Sequence, residues 1–200
     1  MQHEQAPILV DETLFSSTVQ KLILALLTAS FLVIGGWFLW SAHLSNREEK
    51  TRLAFMTAKS PEEKRKVADQ NRGTDQAALI YLNLANAALD AKPQEALELY
   101  DAFLLRNEHH RLANAARLGK AKALELTQKA DEALTVYQKI TQTKKADIYI
   151  PLALLNLSRL QVAQGKESDA RQSLQDLLVG YADYATEAKE RLKMIPEKKS

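Results

Sequence analysis

Three eleven-residue stretches of this 200-residue chain decide its fold, because they repeat one apolar pattern at one period. They read PQEALELYDAF from Pro93, ADEALTVYQKI from Ala130 and ESDARQSLQDL from Glu167. Each has an alanine, then tyrosine or leucine four residues later, then another large apolar residue after three more. Offsets of four and three place these side chains on one face of a helix. The predicted packing positions of this B helix are Ala96, Tyr100 and Phe103, then Ala133, Tyr137 and Ile140, then Ala170, Leu174 and Leu177.

The three alanines are 37 residues apart in both intervals, and a further helical segment, the A helix, precedes each B helix. The A helices are predicted over 75–91, 112–127 and 150–164. A single helical hairpin cannot bury its apolar face, whereas about three stacked hairpins can. The period therefore predicts an α-solenoid domain over 74–195, although an irregular helical bundle with coincidental spacing is the alternative. Its parts are repeats at about 74–108, 111–145 and 148–181 and a capping helix over 183–195.

A long apolar run lies before the repeats, between Lys21 and Arg47, where 25 residues include no Asp, Glu, Lys or Arg. Its densest part, LILALLTASFLVIGGWFLW from Leu22, would span roughly 28 Å as a helix, close to the hydrocarbon thickness of a bilayer. Trp37 and Trp40 stand at its C-terminal end, where interfacial tryptophans are typical. We predict a transmembrane helix over 22–44, anchored by Leu22, Trp37 and Trp40.

A cleaved signal peptide is the rival interpretation of this run. Signal peptides have a short basic leader and an apolar core of about 7–15 residues. Here the leader is long and carries Glu4, Asp11 and Glu12, so an uncleaved anchor is favoured. Orientation stays open on charge alone. By the positive-inside rule, Arg47, Lys50 and Arg52 place the repeat domain in the cytoplasm. The rule is weak, however, when a long segment follows the span.

The remaining segments are a tail over 1–21, a charged helical stalk over 45–73 and a tail over 196–200. Within the stalk, Ser60-Pro61 followed by Glu63 is typical of a capped helix start, and Gly73 of a helix end. The composition excludes several classes of protein. With no cysteine, disulfide scaffolds and thiolate chemistry are excluded, and a net charge of +2 argues against nucleic-acid binding through bulk charge.

The repeat resembles the tetratricopeptide repeat. Ala96, Ala133 and Ala170 match the conserved alanine of the family's second helix, and Tyr100 and Tyr137 match its aromatic residue, from which Leu174 departs. Small residues that match the family's first helix are Ala85, Ala121 and Ser158. The period is longer than the family's and its Trp and Pro landmarks are missing, so the chain resembles a divergent member over Thr74 to about Tyr181.

The layout of tail, span, stalk and degenerate repeats is similar to bacterial single-pass tetratricopeptide-like membrane proteins, such as the ancillary subunit of the SecYEG translocon. This resemblance implies an inner-membrane protein with periplasmic repeats and a chaperone-like or envelope-assembly role. It opposes the orientation favoured by the Lys/Arg count, and we follow the resemblance. An assembly adaptor of the same fold facing the cytoplasm is the alternative function.

Protein binding is the predicted activity, with the resemblance placing the inward positions of the A helices on a concave surface. Lysine and arginine there can hold an acidic side chain, beside leucines that can contact a peptide or helix. The leucines can instead be core residues, and the basic residues can pair with Glu125 or other acids. The candidate concave surface consists of Leu82, Asn86, Leu118, Lys122, Leu155 and Arg159.

No catalytic, metal or cofactor residue is predicted, and we expect a non-enzymatic protein without a cofactor. No nucleophile elbow, phosphate loop or His-Glu-x-x-His motif is present. The adjacent pair His109-His110 does not form a two-ligand helix face, so we expect exposed loop residues there. The expected partners are the membrane and other proteins, with nucleic acid excluded, and the oligomeric state stays open.

Overall fold

The computed structural model describes residues 17–143 and 147–195, and every regular element in those ranges is helical. The predicted all-α class and the long apolar N-terminal helix are therefore confirmed. The tails before residue 17 and after residue 195 lie outside the described residues. The helices are α1 (Ser17–Thr57), α2 (Pro61–Gln70), α3 (Asp75–Ala88), α4 (Pro93–Leu104), α5 (Ala113–Leu126), α6 (Ala130–Thr141), α7 (Ile150–Ala163), α8 (Glu167–Gly180) and α9 (Ala185–Met194).

The chain divides into two compact units, the first ending at Glu49. In the first unit α1 exposes its apolar side chains, with Trp37 and Trp40 each 65% exposed. Within the described ranges, α1 is the one helix long and apolar enough to cross a bilayer, and none of its apolar window is buried. The same length and composition near an N-terminus also fit a signal sequence.

The second unit, Lys50–Ser200, is built from helices that pack in chain order. Each helix from α2 onward packs mainly against its neighbours in the chain, with α3 on α4, α4 on α5 and so on to α8 on α9. Loops of three or four residues join α3 to α4, α5 to α6 and α7 to α8, which makes each of these three pairs a helical hairpin. All nine predicted B-helix packing positions lie in this core, and none is more than 1% exposed.

The α2 helix begins as its sequence indicates. Ser60 is the N-cap, its hydroxyl accepts from the Glu63 amide at 3.1 Å, and the Glu63 carboxylate accepts from the Ser60 and Lys59 amides. Ala68 is fully buried and Tyr81 of α3 donates to Asp69 at 2.5 Å, so this part of the 45–73 segment packs on α3. The left-handed conformation expected at Gly73 is present, with φ +92°.

The turns inside the second and third repeats are built alike. Gln128 and Gly165, which are 37 residues apart, both have positive φ, at 62° and 69°. In each turn the next amide bonds to a carbonyl five residues back, as in a Schellman motif. The first A helix, predicted over 75–91, is shorter than predicted, because α3 ends at Ala88. The capping helix begins at Ala185 because a 3-10 turn occupies Ala182–Tyr184.

Candidate functional site

The six residues predicted for a concave surface lie on α3, α5 and α7 but differ in exposure. Leu82 and Leu155 are buried, at 8% and 6% exposed, and Leu118 is half-buried. These leucines therefore contribute mainly to the core. Asn86, Lys122 and Arg159 are exposed one turn further along each helix, and we call the side that carries them the A-helix face.

Exposed apolar side chains flank these polar residues. Leu126 of α5 and Leu152 and Val162 of α7 are each 41–42% exposed. On a helical wheel each lies within about 60° of Lys122 or Arg159, because residues three, four and seven positions apart share a face. The A-helix face thus offers partly exposed apolar surface, but from positions other than the three predicted leucines.

Buried tyrosines of this unit donate their hydroxyls to polar side chains of the preceding helix. Tyr100 of α4 donates to Asn86 of α3 at 2.6 Å, and Tyr137 of α6 donates to Glu125 of α5 at 2.8 Å. Both rings are at most 1% exposed, so their hydroxyls need these partners. Asn86 is therefore a packing partner as well as an exposed residue of the A-helix face.

Arg159 is held by the same network. Its guanidinium donates to the second carboxylate oxygen of Glu125 at 2.5 Å, across the interval between α7 and α5. The alternative of pairing with Glu125 is thus realised at Arg159. Lys122 has no hydrogen-bond or ion-pair partner among the described residues. A lysine on a protein surface without a partner is free to meet an acidic group of another molecule.

A cleft with a volume of about 640 Å³ lies elsewhere, among α4, α5 and α6. Its charges pair internally: Lys120 bonds to Asp101 at 2.6 Å, and Lys139 bonds to Glu108 at 2.7 Å. The hydrogen bond from Lys139 lowers the pKa of Glu108. In the equivalent cleft one repeat later, Leu154 and Leu157 occupy the positions of Arg117 and Lys120. The charged lining is therefore not repeated.

His110 was expected to be an exposed loop residue, and this was wrong. Its side chain is 11% exposed, its ring packs edge-on against Phe103, and its Nδ1 accepts from the Leu112 amide at 3.1 Å. The loop folds back on α4, because this position buries the imidazole ring of His110 against Phe103. His109 is exposed, and the described residues include no group of three or more metal-ligating side chains.

Comparison with known proteins leaves the family of the chain open. No protein-family model matches it, and no curated protein matches it. The tetratricopeptide resemblance therefore rests on the repeated residues alone.

Two features of this network were not predicted from the sequence: Tyr100 and Tyr137 as hydrogen-bond donors, and Glu125 as the acceptor shared by Tyr137 and Arg159. One signal was available. Tyr81 and Tyr137 each lie 12 residues after their carboxylate partners, Asp69 and Glu125. An acidic residue on one helix of a hairpin and a tyrosine 12 residues later on the other helix indicate such a bond. This signal can be used only once the hairpin is known.

The burial of Tyr100 makes the domain sensitive to alkali. Burial, aided by the negative charge of Asp90, raises the pKa of Tyr100 to about 12 from 10.0. Because the folded state favours the neutral phenol, its stabilising effect is complete below pH 10 and is lost as the pH rises towards 12. Between pH 9 and 11, the free energy of unfolding measured in urea should fall by about 1 kcal/mol more for wild type than for Tyr100→Phe. Parallel stability curves for the two proteins over this range would contradict the assignment.

Proposed function

We propose that this chain is a membrane-anchored, tetratricopeptide-like solenoid that binds other proteins through its A-helix face. The observation that carries the proposal is the regular register of the second unit, in which α4, α6 and α8 begin 37 residues apart and consecutive helices pack against each other. Stacked hairpins of this kind generate extended binding surfaces. The proposal assigns the protein no catalytic activity.

The anchor is part of the proposed function. With α1 in the bacterial inner membrane, the A-helix face is confined near the bilayer, which raises its effective concentration towards membrane proteins. The architectural resemblance to ancillary translocon subunits supports a periplasmic role in secretion or envelope assembly. Clients or partners would be extended segments or helices of other proteins.

A second candidate keeps the fold and places the domain in the cytoplasm as an assembly adaptor. The excess of Arg47, Lys50 and Arg52 over Lys21 favours this orientation by the positive-inside rule. Protease added to intact spheroplasts separates the two. Digestion of the repeat domain indicates the periplasm, whereas protection until lysis indicates the cytoplasm.

Photocrosslinking in membranes tests the binding face. A photoreactive phenylalanine analogue at Leu126 or Leu152 should give discrete adducts with partner proteins, because both side chains lie on the A-helix face. The same analogue at Gln172, an exposed residue of α8, should give few. Adduct yields from Gln172 equal to those from Leu126 and Leu152 would contradict the proposal.

Charge reversal at Lys122 provides the matched mutational test. Lys122→Glu should lower the adduct yield from Leu152 severalfold and leave stability nearly unchanged, because this lysine is exposed and has no partner in the described ranges. Lys189→Glu makes the same charge change at an exposed position of α9 and should leave the yield unchanged. Arg159 is a poorer probe, because its reversal would place a second carboxylate against Glu125.

A further inference from the structure

A cavity of about 330 Å³ opens between α7 and α9 beside the end of the A-helix face. Leu174 of α8 lies at its inner end and is 1% exposed. Val162 and Met194 form apolar parts of its mouth, at 41% and 78% exposed. Arg159 and Arg191 add two guanidinium groups to the lining, which also includes Ser158 and Ile195.

The cavity lies beside Leu174, at the position that a tyrosine occupies in the first two repeats. Leu174 is 37 residues after Tyr137 and 74 after Tyr100, at the packing position of the B helix. Val162 is 37 residues after Glu125, the acceptor of the Tyr137 hydroxyl. The third repeat therefore lacks both the ring and its polar partner, and the space is lined by smaller apolar groups.

Hydrogen bonds to other residues of the domain hold the two arginines in place. Arg191 donates to the Leu155 carbonyl at 3.2 Å and to Glu187 at 2.6 Å, and Arg159 donates to Glu125. Each guanidinium has five N–H donors, so both keep donors unused by these bonds. Guanidinium groups also stack on the faces of aromatic rings.

We propose that this cavity binds an aromatic side chain of a partner protein, next to an acidic residue of the same segment. The inference rests on the proposed function and names the chemistry that the A-helix face would recognise at this end. A closed apolar cavity of about 150 Å³ already binds benzene, so the open cavity has room for a phenyl or phenol ring. The guanidiniums complement the ring face and the neighbouring carboxylate.

Peptide binding to the full chain in nanodiscs of zwitterionic lipid tests this directly, with empty nanodiscs as the blank. The probe is a fluorescent nine-residue Gly/Ser peptide with a central Glu-Phe pair, followed by anisotropy. Replacing Phe by Ala should weaken binding about tenfold or more, since burial of the ring is lost. Replacing Glu by Lys should weaken binding severalfold. Equal binding of the Phe and Ala peptides would overturn the proposal.

Leu174→Tyr provides the decisive variant because it restores the residue of the other repeats and fills the cavity from inside. It should abolish binding of the Glu-Phe peptide while the far-ultraviolet dichroism stays unchanged. Val179→Tyr adds the same side chain at a position that is 88% exposed and should bind as wild type does. A folded Leu174→Tyr protein that binds the peptide with wild-type affinity would overturn the proposal.

If Leu174→Tyr does not fold, Met194→Glu provides the test instead. Met194 lies at the mouth of the cavity and is 78% exposed, so a carboxylate there repels an acidic peptide. It should weaken binding severalfold, and unchanged binding would overturn the proposal. Light scattering tests a second copy as occupant: a wild-type dimer that Leu174→Tyr makes monomeric would overturn the assignment to a partner protein. Adducts from Leu152 without peptide binding would remove the cavity inference alone and leave the proposed function standing.

Discussion

Gly119→Ala should lower the free energy of unfolding by about 2–3 kcal/mol, although glycine to alanine within a helix ordinarily raises it by about 1 kcal/mol. A Cβ built on Gly119 would lie 2.2 Å from Cζ of Tyr100 and 2.3 Å from its hydroxyl oxygen. The ring cannot move aside cheaply, because it is fully buried and its hydroxyl is bonded to Asn86. The close approach of α5 to α4 therefore requires a residue without a side chain.

Thermal and urea unfolding of the full chain in detergent would measure this loss, which corresponds to a Tm lower by about 5–10 °C. Gly180→Ala is the matched control, because Gly180 also lies in a helix and has open space around its Cβ position. It should be neutral or slightly stabilising. Equal effects of the two substitutions would show that the Tyr100 contact does not restrict position 119.

Glu125→Ala should cost about 2–3 kcal/mol, because it removes the acceptor of a buried hydroxyl and the partner of a cation. The Glu125 side chain is 10% exposed and accepts from both Tyr137 and Arg159. Without it the Tyr137 hydroxyl stays buried and unbonded, since the ring is 1% exposed. Glu125→Gln keeps one carbonyl acceptor for Tyr137 and should cost less, about 1 kcal/mol.

A double-mutant cycle with Tyr137→Phe isolates the hydroxyl–carboxylate bond. Removing both groups should cost clearly less than the sum of the single changes, with a coupling of about 1 kcal/mol or more in urea unfolding. Additive losses would mean that the hydroxyl finds water or another acceptor once Glu125 is gone. Lys122→Ala, one turn away on the same helix and exposed, should change stability by less than about 0.5 kcal/mol.

The helices of this protein could be predicted because their signals are local. The cap at Ser60, the proline at the start of α4 and the left-handed Gly165 each act within one turn of the chain. Helix ends were predicted less accurately where a loop replaced the last turn, as after Ala88, or a 3-10 turn replaced the first turn, as before Ala185. Such ends depend on how the next helix packs.

The candidate site was less accessible to sequence reasoning. Leu82, Leu118 and Leu155 occupy equivalent positions, yet the first and third are buried and the second is half-buried. The pairing of Arg159 joins it to a residue 34 positions away. Neither result follows from helical periodicity, which orders side chains around one helix but does not show what packs against them.

The amino-acid sequence by itself determined an all-α chain with one long apolar helix and a 37-residue period of buried alanines and large apolar residues. The helices follow from side chains within four residues of one another, and the period follows from the return of the same pattern 37 residues further along the chain. Only the tertiary structure decided that Gly119 must remain without a Cβ, that Glu125 accepts from both Tyr137 and Arg159, and that Leu174 lines a cavity. Each depends on the distance between helices that pack against one another, and helix packing alone sets that distance.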